Sequence, residues 1–190
     1  GDWSSDVCSS DLYIGVSSYS ANKTKEMIKI LKSRGIKLLI HQPSYSLINR
    51  WIEKDLTKTL IKNGVGCIAF SPLAQGFLSN KYLKGIPKGT RVSENSSFSK
   101  DLITKNNLKI INNLNLIAKK RGQSLSQLAL AWVLNNKAVT SALIGVRSVA
   151  QLKDNLAALN NLKFTKDELK KIDKNAKEGN INLWAPSSSY

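Results

Sequence analysis

The chain has 190 residues, 42% of them hydrophobic, which is enough for one domain with its own core. Its 29 basic and 13 acidic residues leave a net charge of +16, but the lysines are spread along the chain as on solvated helix faces, so no nucleic-acid partner is expected. No apolar run nears the roughly 20 residues of a membrane helix, so no membrane partner is expected. The two distant cysteines, Cys8 and Cys67, carry no disulfide-scaffold or zinc spacing and fit a reducing, cytoplasmic compartment.

Residues 1–12 stand apart. They hold no lysine in a lysine-rich chain, are rich in Ser and Asp, and show neither a helical nor a strand period. They resemble translated sequencing-adapter sequence, so residues 1–12 are expected to be non-native and residues 13–190 to form the domain. Tyr13-Ile14-Gly15-Val16-Ser17 reads as a buried strand. The helix after it has Met27, Ile30 and Leu31 on one face and ends at Gly35. Lys37-Leu38-Leu39-Ile40-His41 is the next strand. Residues 51–62 read as a second helix, with Ile52, Leu56 and Leu60 at helical spacing, stopped by Asn63-Gly64. Val65-Gly66-Cys67-Ile68-Ala69-Phe70 is a third strand. A polar segment, residues 71–100, follows, and loops of that length in a compact domain are usually functional.

Two helices come next. The first covers about residues 102–120 through Leu108, Ile111 and Leu114. The second opens at Ser124 with Gln127, a capping box, and carries Leu128, Ala131, Trp132 and Leu134. Ser141-Ala142-Leu143-Ile144-Gly145 is a fourth strand, and a helix with Leu152, Leu156 and Leu159 follows. Thr165 with Glu168 caps a last helix through Leu169 and Ile172. Repeated units of this kind predict an α/β chain with a parallel sheet under helices. Both an open doubly wound sheet and part of a (β/α)8 barrel satisfy the pattern. No G-x-G-x-x-G turn follows any strand, which counts against the common dinucleotide-binding open sheet.

The strand ends carry polar residues in a particular series: Gly15-Val16-Ser17-Ser18-Tyr19, then His41-Gln42-Pro43-Ser44-Tyr45, then Phe70-Ser71-Pro72-Leu73-Ala74-Gln75-Gly76, then Gly145-Val146-Arg147-Ser148 with Gln151, Asp154 and Asn155. In this order the series resembles the last four strands of the aldo/keto reductase barrel. The likeness is strongest to the branch that holds bacterial glyceraldehyde phosphate reductases and potassium-channel β subunits. It implies an α/β fold that is the C-terminal half of a (β/α)8 TIM barrel, with ligands at the C-terminal strand ends.

By this resemblance the cofactor is NADP(H), and no metal is expected. Ser17 and Gln42 match positions that hold the nicotinamide carboxamide, and Ser18 adjoins them. The alternative is that Gln42 caps neighbouring backbone. Phe70 matches an aromatic position beside the nicotinamide, with plain core packing as the alternative. Ser71, Pro72, Leu73, Ala74 and Gly76 match the loop whose backbone wraps the pyrophosphate. Lys81 and Arg91 fall where relatives place basic residues against phosphates, or are ordinary solvated charge. Gly145, Arg147, Gln151, Asp154 and Asn155 match the part that meets the adenosine, with Arg147 suited to a 2′-phosphate. Ser148 with Gln151 is itself a capping box, and a capped helix N-terminus also favours phosphate.

The resemblance further implies reduction of a small carbonyl substrate, such as glyceraldehyde 3-phosphate or methylglyoxal, by hydride from NADPH, with a Tyr as proton donor. The family's catalytic His, Tyr, Lys and Asp lie on the first four strands, so no catalytic residue is expected here and the 190-residue chain is expected to be inactive. His41, the sole histidine, is assigned a structural role. The alternative function is a nucleotide-binding regulatory module like a channel β subunit, without turnover. Half a barrel leaves raw sheet edges at the first and fourth strands, which implies self-association as a homo-oligomer. The richness in Lys, Asn and Ile points to an AT-rich bacterial source.

Overall fold

A computed structural model of the chain describes residues 13–83 and 104–176. The proposed foreign segment, Arg91 and the C-terminal tail therefore lie outside the described residues. Four strands, β1 (Ile14–Ser17), β2 (Leu38–Gln42), β3 (Gly66–Ala69) and β4 (Ser141–Ala142), form one sheet in the order β1-β2-β3-β4, every neighbouring pair parallel. Six α-helices accompany them among the described residues: α1 (Ala21–Ser33), α2 (Leu56–Asn63), α3 (Lys105–Lys120), α4 (Leu125–Asn135), α5 (Val149–Leu156) and α6 (Lys166–Asn175). Sheet order equal to chain order has no switch point. Part of a (β/α)8 barrel has this order.

Register shows how the two sheet faces divide. Val16 pairs with His41 and His41 with Cys67, and this face, with Ala69, packs into the main apolar cluster. Ile52, Leu56 and Leu60 from the β2–α2 segment, Ile111 and Leu114 from α3, and Leu128 from α4 close over it. The opposite face carries Gly15, Ser17, Ile40, Gly66, Ile68 and Ser141, none of them buried. Space is tight at Gly66, where a Cβ would meet Thr140 Oγ1 at 3.3 Å.

Several element boundaries shift from the sequence reading. The helix over 51–62 is two pieces, a 3-10 turn at Trp51–Glu53 and then α2, because Asp55 at φ −138° interrupts the helical path. The fourth strand pairs only over Ser141–Ala142, although Leu143 N–H still donates to the Ala69 carbonyl. The helix bearing Leu152, Leu156 and Leu159 ends as α5 and continues as a 3-10 turn at Ala157–Asn161. Those three leucines are exposed rather than part of the core. Ile30 is exposed too, while its predicted companion Leu31 is buried. Gly35 and Gly64 end α1 and α2 at φ +71° and +64°, as expected of left-handed helix stops. Both predicted capping boxes, Ser124–Gln127 and Thr165–Glu168, form with reciprocal bonds.

Two arginines fasten the helices. The Arg121 side chain, 3% exposed, pairs with Glu168 at 2.9 Å, donates to the Asn161 and Lys163 carbonyls, and lies 3.8 Å from the centroid of the Phe164 ring. This anchors the start of α6 against the α3–α4 turn. Arg50 pairs with Glu53 and Asp173 and sits over Trp132, while Tyr45 donates to Glu53 and accepts from Asn136. The loop after β2 is thereby tied to α4 and α6.

His41 is fully buried on the helix-facing side of β2. Its Nε2–H donates to the Tyr19 carbonyl at 3.0 Å, and Nδ1 has no partner among the described residues. Burial holds the imidazole down to about pH 4, against the hydrogen bond to Tyr19, which raises it. Because the folded value lies below the unfolded one, the unfolded chain binds the proton first as pH falls. Stability contributed by neutral His41 is therefore full above about 6.5 and drains away between about 6.5 and 4, by about 3 kcal/mol. In urea titrations across this window, His41→Gln is expected to lose less stability on acidification than the unsubstituted chain. Parallel pH profiles would contradict the assignment.

Candidate functional site

The C-terminal ends of all four parallel strands open onto the same rim, and the backbone there departs from ordinary geometry. Ser18, just after β1, is at φ +57°. After β3, Ser71, Ala74 and Gln75 are at +54°, +47° and +57°, and Gly76 is at +95°. These are all of the left-handed non-glycine residues among the described residues. Such conformations cost on the order of 1–3 kcal/mol each and concentrate at sites that bind or react. The bends are held by local bonds: Ala74 N–H to the Ser71 carbonyl, Gly76 N–H to Leu73, and Leu78 N–H to Leu73. Leu78 and Phe77, both fully buried, pin the far end of the loop to the core.

Beside this loop lies a cavity of about 760 Å³, within the roughly 300–1,000 Å³ typical of small-molecule sites. One wall is the segment after β3, with Phe70, Ser71, Pro72, Leu73 and Gly76. The other is the segment after β4 and the first turns of α5, with Gly145, Arg147, Gln151, Asp154 and Asn155. Lys81 stands at the margin, exposed. The structure therefore brings together residues that the sequence reading took from two separate motifs.

Four expected contributors are absent from its lining. Ser17, Ser18 and Gln42 sit at the ends of β1 and β2 and do not line this cavity. The Ser17 hydroxyl donates to the Gln42 backbone carbonyl at 2.9 Å, and Ser18 N–H donates to the same oxygen. Ala74 is buried behind the loop rather than on the wall. Phe70 borders the cavity, and its backbone is held in place, its N–H donating to the Pro43 carbonyl and its carbonyl accepting from Tyr45 N–H.

The turn into α5 shows how sequence chemistry makes an anion-favouring end. Ser148 Oγ accepts from Gln151 N–H, as a capping Ser should. The reciprocal half of the predicted box differs, because Gln151 Oε1 accepts from Arg147 N–H at 2.8 Å instead of from the cap residue. The first turn of α5 carries no acidic residue, so the positive end of the helix dipole is unopposed within it. Arg147 makes no ion pair among the described residues. Asp154 is already engaged, accepting from Gln127 Nε2 at 2.7 Å and Ser124 Oγ at 3.2 Å, which locks α5 to the cap of α4.

The sequence reading missed Gln75. Its Oε1 is buried, lines the cavity residue set, and has no partner among the described residues. A buried amide oxygen of this kind calls for a donor from a ligand or water. The only signal in sequence was its place between Ala74 and Gly76, in a run otherwise small or apolar. Leu143 and Ile144, read as plain strand, and Val146, given no role within its motif, were also missed as apolar wall. Tyr82, another missed wall residue, is buried with its ring centroid 5.9 Å from that of Phe77.

An elongated ligand with anionic groups fits this set. Arg147 and Lys81 supply charge, the α5 terminus supplies dipole, the backbone after β3 comes close, and Gln75 offers an unsatisfied acceptor. No cluster of His, Cys, Asp or Glu suited to a metal occurs among the described residues, and no described helix is long and apolar enough to cross a membrane.

Comparison with known proteins gives independent information. A sequence model of the aldo/keto reductase family matches residues 12–177. The chain is 48% identical over 182 residues to L-glyceraldehyde 3-phosphate reductase of Escherichia coli K12, covering 93% of this chain and 53% of that protein. It is 36% identical over 168 residues to a Schizosaccharomyces pombe protein named for a voltage-gated potassium channel subunit beta, covering 85% of this chain and 49% of that one. A rice protein named in the same way is 32% identical over 167 residues. The chain spans about half the length of the curated relatives it matches.

Two glycines on the cavity make contrasting tests. Neither would bring a Cβ within 4 Å of another atom, but only Gly76 has a positive φ. Gly76→Ala is expected to destabilise by about 1–2 kcal/mol through strain alone, and Gly145→Ala by no more than about 0.5 kcal/mol, as read by urea denaturation. Equal costs would contradict the geometry of the loop.

Proposed function

This chain belongs to the aldo/keto reductase family, and from that premise we propose that its cavity binds the nucleotide of NADP(H) in a reductase of small aldehydes. The carrying observation is the pairing of the bent segment after β3 with the cationic, acid-free start of α5 across one cavity. A dinucleotide phosphate offers negative charge at two places, and the two walls offer cation, dipole and close backbone to meet it.

In this reading Arg147 pairs with the 2′-phosphate of the adenosine, which favours NADPH over NADH. Gln151 and Asn155, one turn apart on α5, border the adenine and ribose. The backbone of residues 71–76 lies along the pyrophosphate, with Lys81 as a further cation and Arg91 assigned by family position alone. Gln75 Oε1 gains the donor it lacks. Phe70 flanks the nicotinamide, and Ser17, Ser18 and Gln42 hold its carboxamide from the neighbouring strand ends. Bound there, NADPH supplies the hydride that reduces a carbonyl. The chain's own part is to orient the nucleotide along the rim and to exclude water at the Leu143–Ile144 wall.

The substrate reading is a small aldehyde such as glyceraldehyde 3-phosphate or methylglyoxal, supported by the likeness to L-glyceraldehyde 3-phosphate reductase. A proton donor for the carbonyl is assigned outside the described residues. Of the cavity's titratable side chains, Asp154 is held by Gln127 and Ser124, and Tyr82 is buried against Phe77. We therefore propose that the four strand–helix units are the last four of an eight-stranded barrel, and that the 190-residue chain binds nucleotide without turnover. Residues 1–12 are proposed to be foreign to the fold, in keeping with a family match that starts at residue 12. The cytoplasmic assignment rests on Cys67, a free buried thiol whose pKa burial pushes up to about 12 and so keeps it unreactive. A second reading, a regulatory module that holds the nucleotide without reducing anything, is favoured by the likeness to channel β subunits.

Titration of the purified chain with NADPH and NADH, followed by quenching of tryptophan emission, is expected to give saturable binding that prefers NADPH. Arg147→Ala should weaken NADPH binding by about tenfold or more, as loss of a charge-assisted bond does, and leave NADH nearly unchanged. Equal losses for both nucleotides would contradict the role of Arg147. In the same preparation, NADPH consumption with methylglyoxal or glyceraldehyde 3-phosphate is expected to stay at background, and measurable turnover would overturn the assignment of the proton donor.

A further inference from the structure

We propose that His41 is a positioning residue for the nucleotide, its buried imidazole setting the turn after β1 that carries Ser17 and Ser18 on the rim. This rests on the reading in which Ser17, Ser18 and Gln42 meet the nicotinamide end of NADP(H). The turn is short, because β1 ends at Ser17 and α1 starts at Ala21. Ser18, Tyr19 and Ser20 alone make it. Ser18 is buried and left-handed, at φ +57°. A non-glycine residue keeps that conformation only where its surroundings impose it.

Each residue of the turn has its own anchor. Ser20 is tied to α1: its Oγ accepts from Lys23 N–H, and its carbonyl accepts from Thr24 N–H and from the Thr24 hydroxyl. Ser18 is tied to β2: its N–H donates to the Gln42 carbonyl at 3.1 Å, the oxygen that also takes the Ser17 hydroxyl. Tyr19 lies between them with an exposed side chain, so its ring adds little anchorage. The Tyr19 carbonyl accepts from His41 Nε2–H at 3.0 Å, and this bond ties the middle of the turn to β2.

A histidine at this place is costly for the fold. It is fully buried, and its partners in register, Val16 and Cys67, are apolar. An aliphatic side chain would pack there with no orphaned atom, whereas the imidazole leaves Nδ1 without a partner among the described residues. What the histidine adds is one N–H, delivered from the buried face of β2 to a turn on the rim. Two adjacent residues of β2 thereby share one task. Gln42 holds Ser18 through its main chain, and His41 holds Tyr19 through its side chain.

Two nucleotides separate positioning from plain stability. NADPH carries the nicotinamide, whereas adenosine 2′,5′-bisphosphate carries the adenosine with its 2′-phosphate and no nicotinamide. In the full chain, His41→Leu is expected to weaken NADPH binding about fivefold, as loss of one hydrogen bond does, and bisphosphate binding by less than about twofold. His41→Gln, which keeps an N–H at similar reach, is expected to restore NADPH affinity. His41 is the sole histidine, so isotope labelling of histidine gives a single imidazole to follow by magnetic resonance, even where His41→Leu does not fold. NADPH is expected to move the imidazole signals of the unsubstituted chain, and the bisphosphate to leave them in place. Equal losses of the two nucleotides in His41→Leu, or no loss of either, overturn the inference and leave the nucleotide reading standing. So do a His41→Gln chain that binds NADPH as weakly as His41→Leu, and imidazole signals that respond alike to both nucleotides. An unsubstituted chain that binds neither nucleotide saturably overturns both the nucleotide reading and the role of His41.

Discussion

Parallel strands joined by helical crossovers of one hand bring every C-terminal strand end to the same rim, and each feature of this molecule follows from that constraint. Helices collect on one face because each return path passes over the same side of the sheet. The loops that remain short, after β1 and β4, and the long one after β3 are then neighbours whatever their distance in sequence. Phe70 and Gly145 are far apart along the chain yet border one cavity. The rim is also where the backbone is bent most, with Ser18, Ser71, Ala74 and Gln75 all left-handed. The remaining structure supplies the stability that offsets that strain.

Much of that support comes from two buried or half-buried guanidinium groups. Arg121 satisfies carbonyls at the end of the Ala157–Asn161 turn and pairs with Glu168, whose carboxyl is held below its ordinary value by the Thr165 backbone donor first and by Arg121 next. Arg50 gathers Glu53, Asp173 and Trp132, and burial beside this carboxylate pushes the Tyr45 phenol well above its ordinary range. Removing one partner from such a cluster leaves another charge uncompensated, which is why these groups work as units. The cations left for a ligand, Lys81 and Arg147, are outside both clusters.

The legible part of the fold was the part governed by local rules. Capping Ser and Thr residues, left-handed glycines and apolar periodicity located the α-helices and strands of the described residues, with shifted boundaries, because each depends on residues within one or two turns. The rim motifs were legible through resemblance, and the structure brings those after β3 and β4 to one cavity. Other features depended on tertiary context. Asp55 breaks the helix over 51–62, although Ile52, Leu56 and Leu60 keep perfect helical spacing and are all buried. The leucines of α5 have the same spacing as core leucines, yet they are exposed, since periodicity reports a face and not what covers it. Gln75 gave little signal beyond its place in a small and apolar run, because a buried unsatisfied amide is defined by its surroundings. The Ser17 hydroxyl is bonded to the Gln42 main chain, a partner fixed by the pairing of β1 with β2 and not by local sequence.

The central claim is that the segments after β3 and β4 form the two walls of one nucleotide site. Hydrogen exchange of the chain with and without saturating NADPH tests it most directly, because it maps binding onto the backbone without depending on turnover. Slowed exchange centred on peptides spanning residues 70–83 and 144–156 is the predicted result. Unchanged exchange in those peptides, or protection centred on the lysine-rich face of α1, would contradict it.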